Sequence, residues 1–183
     1  MAALDDLADR LERSTESMIE LGPRLAAGEP WPPADVVGPG PESSWGPREV
    51  LAHVAEMLPF WLGEIELILD AGGVEPPGFG RLEADDVRVA IITRDRAFPA
   101  RELLGRVEAE GRRVARRFRA LSEDDAQAIG RHTARGEMSV RDIAERLIVG
   151  HAEGHVVQLR EAVSASRESR ASSSTGASER DRT

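Results

Sequence analysis

The sequence predicts an all-α protein, a single helical bundle, on three observations. Apolar residues recur at intervals of three, four and seven over four long regions, the period of helices with one buried face. Clusters of proline and glycine separate those regions. No region alternates polar with apolar residues for long enough to make a useful strand, and no segment repeats another.

The first region, 4–27, places Leu4, Leu7, Leu11, Met18, Leu21 and Leu25 on one helical face. Gly28, Pro30, Pro32 and Pro33 end it, and the chain stays dense in proline and glycine up to Ser44. So long a connection means the first two helices need not be hairpin neighbours. The second helix begins at Pro47, which suits a first helical position, with Glu49 near the positive end of the helix dipole. Leu51, Val54, Leu58, Trp61, Leu62, Ile65 and Leu69 form its buried stripe. Pro59 predicts a kink over 55–59, and Gly72 and Gly73 stop the helix.

Pro99 divides the third region into a short helix over 85–96 and a longer one over 100–121, with Leu103, Leu104, Val107, Val114 and Phe118 inward. Residues 122–125 read as a loop leading into a brief turn, and 130–137 as a connector. Ser139 caps the last helix while Asp142 answers three residues on. Ile143, Leu147, Ile148, Val156 and Leu159 carry that helix to about Val163. After Ser164 only Ser, Arg, Ala and Glu dominate, with no apolar period, so the expected organisation is one bundle over 1–163 and a disordered tail over 164–183.

Composition excludes several kinds of function. A length of 183 residues suffices for one unaided core. The net charge of -9 argues against a nucleic-acid partner. Arg112, Arg113, Arg116, Arg117 and Arg119 read as the wet side of a helix. All 24 basic residues are arginine, which removes Schiff-base chemistry. The absence of cysteine removes disulfides, thiolate ligands and a cysteine nucleophile. The acidic start argues against a secretory leader, and no apolar run approaches the roughly 20 residues of a membrane span. A soluble, cytoplasmic protein without a membrane partner is expected.

The four histidines carry the most information. His151 and His155 are spaced i, i+4, so both rings leave one helix face a turn apart, as two ligands of one metal ion would. Gln158 shares that face. The same spacing also fits an ordinary polar face. His53, between Leu51 and Val54 on another helix, reads either as a core histidine or as a third ligand from a facing helix. Two known arrangements fail. A zinc protease needs His-Glu-x-x-His, and here Glu153 falls one place late, pointing away from the ligand face. A di-iron site needs Glu-x-x-His on two helices, and neither copy is present. Glu56, one turn after His53, either orients a ligand ring or moves a proton, or is a solvated helix residue. Met57 and Phe60 read as core. His132 and Arg135, in the connector before the last helix, read as surface residues or as contacts to substrate or thiol.

The segments Trp45-Gly-Pro-Arg-Glu-Val-Leu-Ala-His53-Val-Ala, Met138-Ser-Val-Arg-Asp-Ile and His151-x-x-x-His155-x-x-Gln158 together resemble the DinB-like (DinB and YfiT-type) superfamily. Its members include mycothiol-dependent maleylpyruvate isomerase and bacillithiol S-transferases. The resemblance spans 4–163 and implies an up-down-down-up four-helix bundle. It also implies a divalent metal, zinc or nickel, on His53, His151 and His155, with at least one position left open. Gly46 departs from the serine or threonine often found before the proline, which weakens the helix cap. The implied activity is metal-dependent S-transfer or isomerisation through a low-molecular-weight thiol such as mycothiol. Without cysteine of its own, the protein would import its sulfur nucleophile. The alternative is a non-catalytic bundle that binds a metal or small ligand. Partners are a small-molecule substrate or thiol, and a homodimer suits the architecture.

Overall fold

Leu7, Ala8, Leu11, Thr15 and Met18 line the buried face of helix α1 (Asp5–Glu20), which opens the fold. A computed structural model of the protein describes residues 3–34, 42–72 and 75–178. The middle of the expected long connection (35–41), Gly73 and residues 179–183 lie outside the described residues. The expected single first helix is two: α1 ends at Glu20 and α2 (Gly22–Gly28) follows. Pro23 explains the break, because proline lacks an amide proton and its ring clashes with the carbonyl four residues back.

Helix α3 (Pro47–Asp70) buries Val50, Leu51, His53, Val54, Met57, Leu58, Leu62, Ile65 and Ile68 and passes through Pro59 as one helix. Gly46 caps it without a side-chain hydrogen bond. Helices α4 (Asp86–Asp95) and α5 (Ala100–Ala120) divide at Pro99. The arginine-rich face of α5 is solvated and paired: Arg117 bonds Glu66, Arg119 bonds Asp9 and Glu12, and Arg112 bonds Glu108 one turn back. A short α6 (Glu123–Gln127) comes next, capped by Ser122.

The expected connector over 130–137 is instead a hairpin. Strands β2 (Ile129–His132) and β3 (Gly136–Ser139) pair antiparallel, and β1 (Gly78–Phe79) joins β2 in parallel. Two- and four-residue strands are too short to show alternation in sequence. The last helical rod has three parts: α7 (Val140–Asp142), a π-helical stretch (Ile143–Val149) and α8 (Gly150–Ser178). Ser139 and Asp142 form a full capping box at its start. The backbone continues helical to Ser178, where composition predicted a disordered tail from Ser164 on. Extending an existing helix needs no new nucleus, and Ala165, Arg167, Glu168, Arg170 and Ala171 among the serines are good helix formers.

The protein is therefore predominantly helical, and its long helices share one core. Helix α1 packs on α5 and α8, and α3 packs on α4, α5 and α8. Gly111 permits a close α1–α5 approach, since a Cβ there would lie 2.6 Å from Thr15 Cγ2. Among the described residues, no helix is long and apolar enough to cross a membrane.

Candidate metal centre

His53 leaves α3 two turns from its start, while His151 and His155 open α8. The packing of α3 against α8 brings the three rings together: His53 and His151 centroids are 5.1 Å apart, His53 and His155 5.2 Å, and His151 and His155 4.7 Å. The π-helical stretch just before sets the angle at which the pair faces α3, since its wider i→i+5 turns rotate everything that follows.

A fourth donor joins them. Glu42, in a 3-10 turn (Glu42–Ser44) after the long connection, places Oε2 2.9 Å from His151 Nε2 and 3.7 Å from His155 Nε2, with Oε1 3.5 Å from His53 Nε2. One ligand atom from each of Glu42, His53, His151 and His155 lies within 4.8 Å of the others. Sequence reasoning missed Glu42 because a lone acid beyond a proline-rich loop has no periodicity to mark it.

The chain anchors both ends of the segment that delivers this carboxylate. On the near side, buried Glu49 accepts from the Ala34 amide at 3.0 Å, and Arg96 donates to both Glu49 and the Ala34 carbonyl. On the far side, Gln158 Nε2 donates to the Glu42 carbonyl at 2.7 Å and the Trp45 carbonyl at 3.2 Å. Arg88, itself buried, pairs with the Glu42 carboxylate and donates to the Glu83 carbonyl at 2.9 Å.

These residues fit a divalent ion. Because the Gln158 amide nitrogen serves two carbonyls, its oxygen faces His155 Nδ1 at 3.0 Å, so Nδ1 must carry the proton. His155 Nε2 then holds a free lone pair, and it is buried without a hydrogen-bond partner. A partner that fixes the tautomer of a ligating histidine is a recurring feature of metal sites. Two nitrogens bound tetrahedrally at about 2.0–2.1 Å lie about 3.3–3.4 Å apart; His53 Nε2 and His151 Nε2 are 3.4 Å apart. Burial, then the neighbouring His155 and His151, pushes the His53 pKa well down. Burial and His151 likewise lower His155 to about 4. Both rings therefore stay neutral at pH 7, the form that binds metal. Burial raises the pKa of Glu42, but His151, His155 and Arg88 outweigh it and leave the group an anion.

The cluster opens on a cavity of ≈ 390 Å³, whose lining includes Glu42, His53, His151, Trp61, Leu82 and Leu147. His132 and Arg135 line it too, so the hairpin brings both sequence candidates to the site. A second cleft of ≈ 460 Å³ shares Glu42 and His151 and adds His155 and Gln158. Glu56, three residues after His53 on α3, is buried and not solvated, and both its oxygens engage the cavity-lining Arg81, at 2.5 and 2.6 Å. Burial raises its pKa and the Arg81 pairing opposes that. Met57 is core as expected, whereas Phe60 is half-buried under the Arg81 guanidinium, 3.7 Å from the ring centroid. Glu153 points away from the cluster and makes two bonds to Arg10 on α1.

A sequence model of the DinB superfamily matches residues 23–159. The chain belongs to the DinB superfamily. The matched span holds Glu42 and all three clustered histidines, so the candidate metal centre of this DinB protein lies wholly within the family's domain. Neither the curated proteins nor the solved structures include a match to the chain.

Proposed function

We propose that this DinB protein is a metal-dependent enzyme that uses a low-molecular-weight thiol, such as mycothiol, for S-transfer or isomerisation. The observation that carries the reading is the set of converging donors on His53, His151, His155 and Glu42 at the wall of a cavity sized for a small organic molecule. Zinc or nickel suits imidazole ligands. Bound there, such an ion supplies Lewis acidity that brings the pKa of a coordinated thiol or water towards neutrality.

The chain's own residues have definable tasks in that scheme. Burial keeps His53 and His155 unprotonated. Gln158 holds the His155 proton on Nδ1 and, through the Glu42 and Trp45 carbonyls, ties the Glu42 turn to α8. Arg88 gives the Glu42 carboxylate a second partner, so that carboxylate would stay paired if it were not holding the ion. Trp61, Leu82 and Leu147 give the cavity its apolar surface. An up-down-down-up order of the long helices, a domain limited to 1–163, a cytoplasmic location and a homodimer belong to the same reading.

One observation favours a second reading. Glu42 completes four protein donors, the number found in closed structural sites. A non-catalytic bundle stabilised by its metal, or binding a small ligand, follows if Glu42 never leaves.

Conjugation of monochlorobimane, measured on the metal-loaded protein with mycothiol, bacillithiol and glutathione in turn, tests the enzyme reading. Acceleration with at least one thiol, lost in His155→Ala, is expected. No acceleration with any of them sinks it. A large fall in melting temperature on metal removal, with no thiol activity, would favour the structural reading instead.

A further inference from the structure

The cavity beside the cluster has a second polar wall, built by the β2–β3 hairpin and not by the long helices. His132 is buried there, stacked near-parallel on Trp61 at 5.9 Å and edge-on to Phe79 at 5.2 Å. The Ala134 amide donates to His132 Nδ1 at 3.0 Å. That bond requires a lone pair on Nδ1, so the ring is neutral and its proton sits on Nε2. Burial, followed by the positive charge of Arg135, lowers the pKa of this ring, in keeping with that form. The Nε2–H has no acceptor among the described residues, and His132 lines the cavity.

The cationic groups of the same lining differ in what they have left to offer. Arg81 is occupied by both oxygens of Glu56. Arg88 is occupied by Glu42 and the Glu83 carbonyl. Arg135, on the turn of the hairpin, has no ion-pair partner among the described residues. Glu64, whose charge also reaches His132, accepts from the Gly80 amide. Glu83 also lines the cavity; it is exposed and is not among the charges felt at the His132 ring. The hairpin wall therefore presents two unsatisfied donors, one neutral and one cationic, while the carboxylates of Glu64, held by the Gly80 amide, and of Glu83 lie on other segments of the chain. One spare positive charge calls for one negative charge, and Trp61, Leu82 and Leu147 call for an organic body behind it.

We propose that Arg135 and His132 form a subsite for the carboxylate of a small organic acid, whose other end faces the histidine cluster. The subsite stands on the hairpin alone. Only the further step, that this acid is the electrophile of the thiol reaction, rests on the function proposed above. An inorganic phosphate would bring the wrong charge and no apolar body.

Isothermal titration of the full chain, stripped of metal by a chelator and repeated with zinc restored, tests this with benzoate, benzamide and inorganic phosphate. Benzoate is expected to bind at least about tenfold more tightly than benzamide or phosphate, with or without zinc, because a charge-assisted bond to Arg135 is available only to the carboxylate. Arg135→Ala should weaken benzoate roughly tenfold, Arg135→Lys should retain part of the affinity, and His132→Phe should weaken it several-fold. Arg135 is exposed, so Arg135→Ala should fold and melt as the parent protein does. Equal binding of benzamide, unchanged affinity in Arg135→Ala, tighter binding of phosphate, or benzoate binding seen only with zinc would each overturn the subsite. Because the metal-stripped arm reads the hairpin directly, a failure of the metal reading leaves this measurement intact.

Discussion

Acidifying the metal-free protein should expose the cost of burying the cluster. His155 titrates at about 4 in the folded chain, chiefly because burial penalises its charged form and because His151 lies beside it; Gln158 and Glu42 oppose the shift. In the unfolded chain the same ring titrates near ~6.5. Between those values the unfolded state holds a proton that the folded state refuses, so stability rises with pH. It is complete above ~6.5, declines as pH falls towards about 4, and is flat below that. At ~1.4 kcal/mol per pH unit, moving from pH 7 to pH 5 removes about 2 kcal/mol through His155 alone. His53 is shifted the same way and adds to the loss. Urea denaturation followed by circular dichroism, with a chelator present, measures this at both pH values in the parent chain and in His155→Ala. The variant should lose about 2 kcal/mol less than the parent over that interval. Identical losses in the two proteins would refute the buried, neutral state assigned to His155.

Replacing Glu42 by Gln keeps the shape of the turn but removes its charge, and zinc affinity measured against a chromophoric chelator should fall roughly 10–100-fold; unchanged affinity would show that Glu42 is not a donor. Gly80 has φ +82°, and a Cβ there would lie 2.5 Å from the His132 ring. Gly80→Ala should therefore destabilise the fold by about 2–4 kcal/mol in chemical denaturation, through left-handed strain and overpacking together; a loss under about 1 kcal/mol contradicts the packing described. Glu153→Gln breaks a half-exposed pair with Arg10 and should change stability by less than about 1 kcal/mol. It should leave zinc affinity unaltered, and loss of zinc in this variant would restore a protease-like role for the glutamate.

Apolar periodicity by itself made most of the helical frame legible. Pro99 marked the division between α4 and α5, and Ser139 with Asp142 marked the start of the last helical rod. The break at Gly22 was hidden because Leu21 and Leu25 continue the apolar spacing across it. The π-helical stretch was hidden for a related reason: Ile143, Leu147 and Ile148 satisfy α spacing, and the wider turn is a tertiary outcome. Within the site, the i, i+4 pair could be read directly, while His53 required a fold that places α3 against α8. Glu42 was invisible because its position depends on Glu49 and on Arg96, Gln158 and Arg88, the last three far from it in sequence, which anchor or pair with its turn. Glu56 shows the converse. Its distance from His53 suggested the site, but Arg81, brought in by the segment after β1, takes its carboxylate away.

The central claim is that His53, His151, His155 and Glu42 form one metal centre, and the metal content of the purified full chain tests it most directly. Mass-spectrometric analysis after reconstitution should find about one zinc or nickel per chain, falling to about a tenth of that or less in His155→Ala. Less than about half an ion per chain in the parent protein, or equal loading in the variant, would contradict a centre built on these side chains.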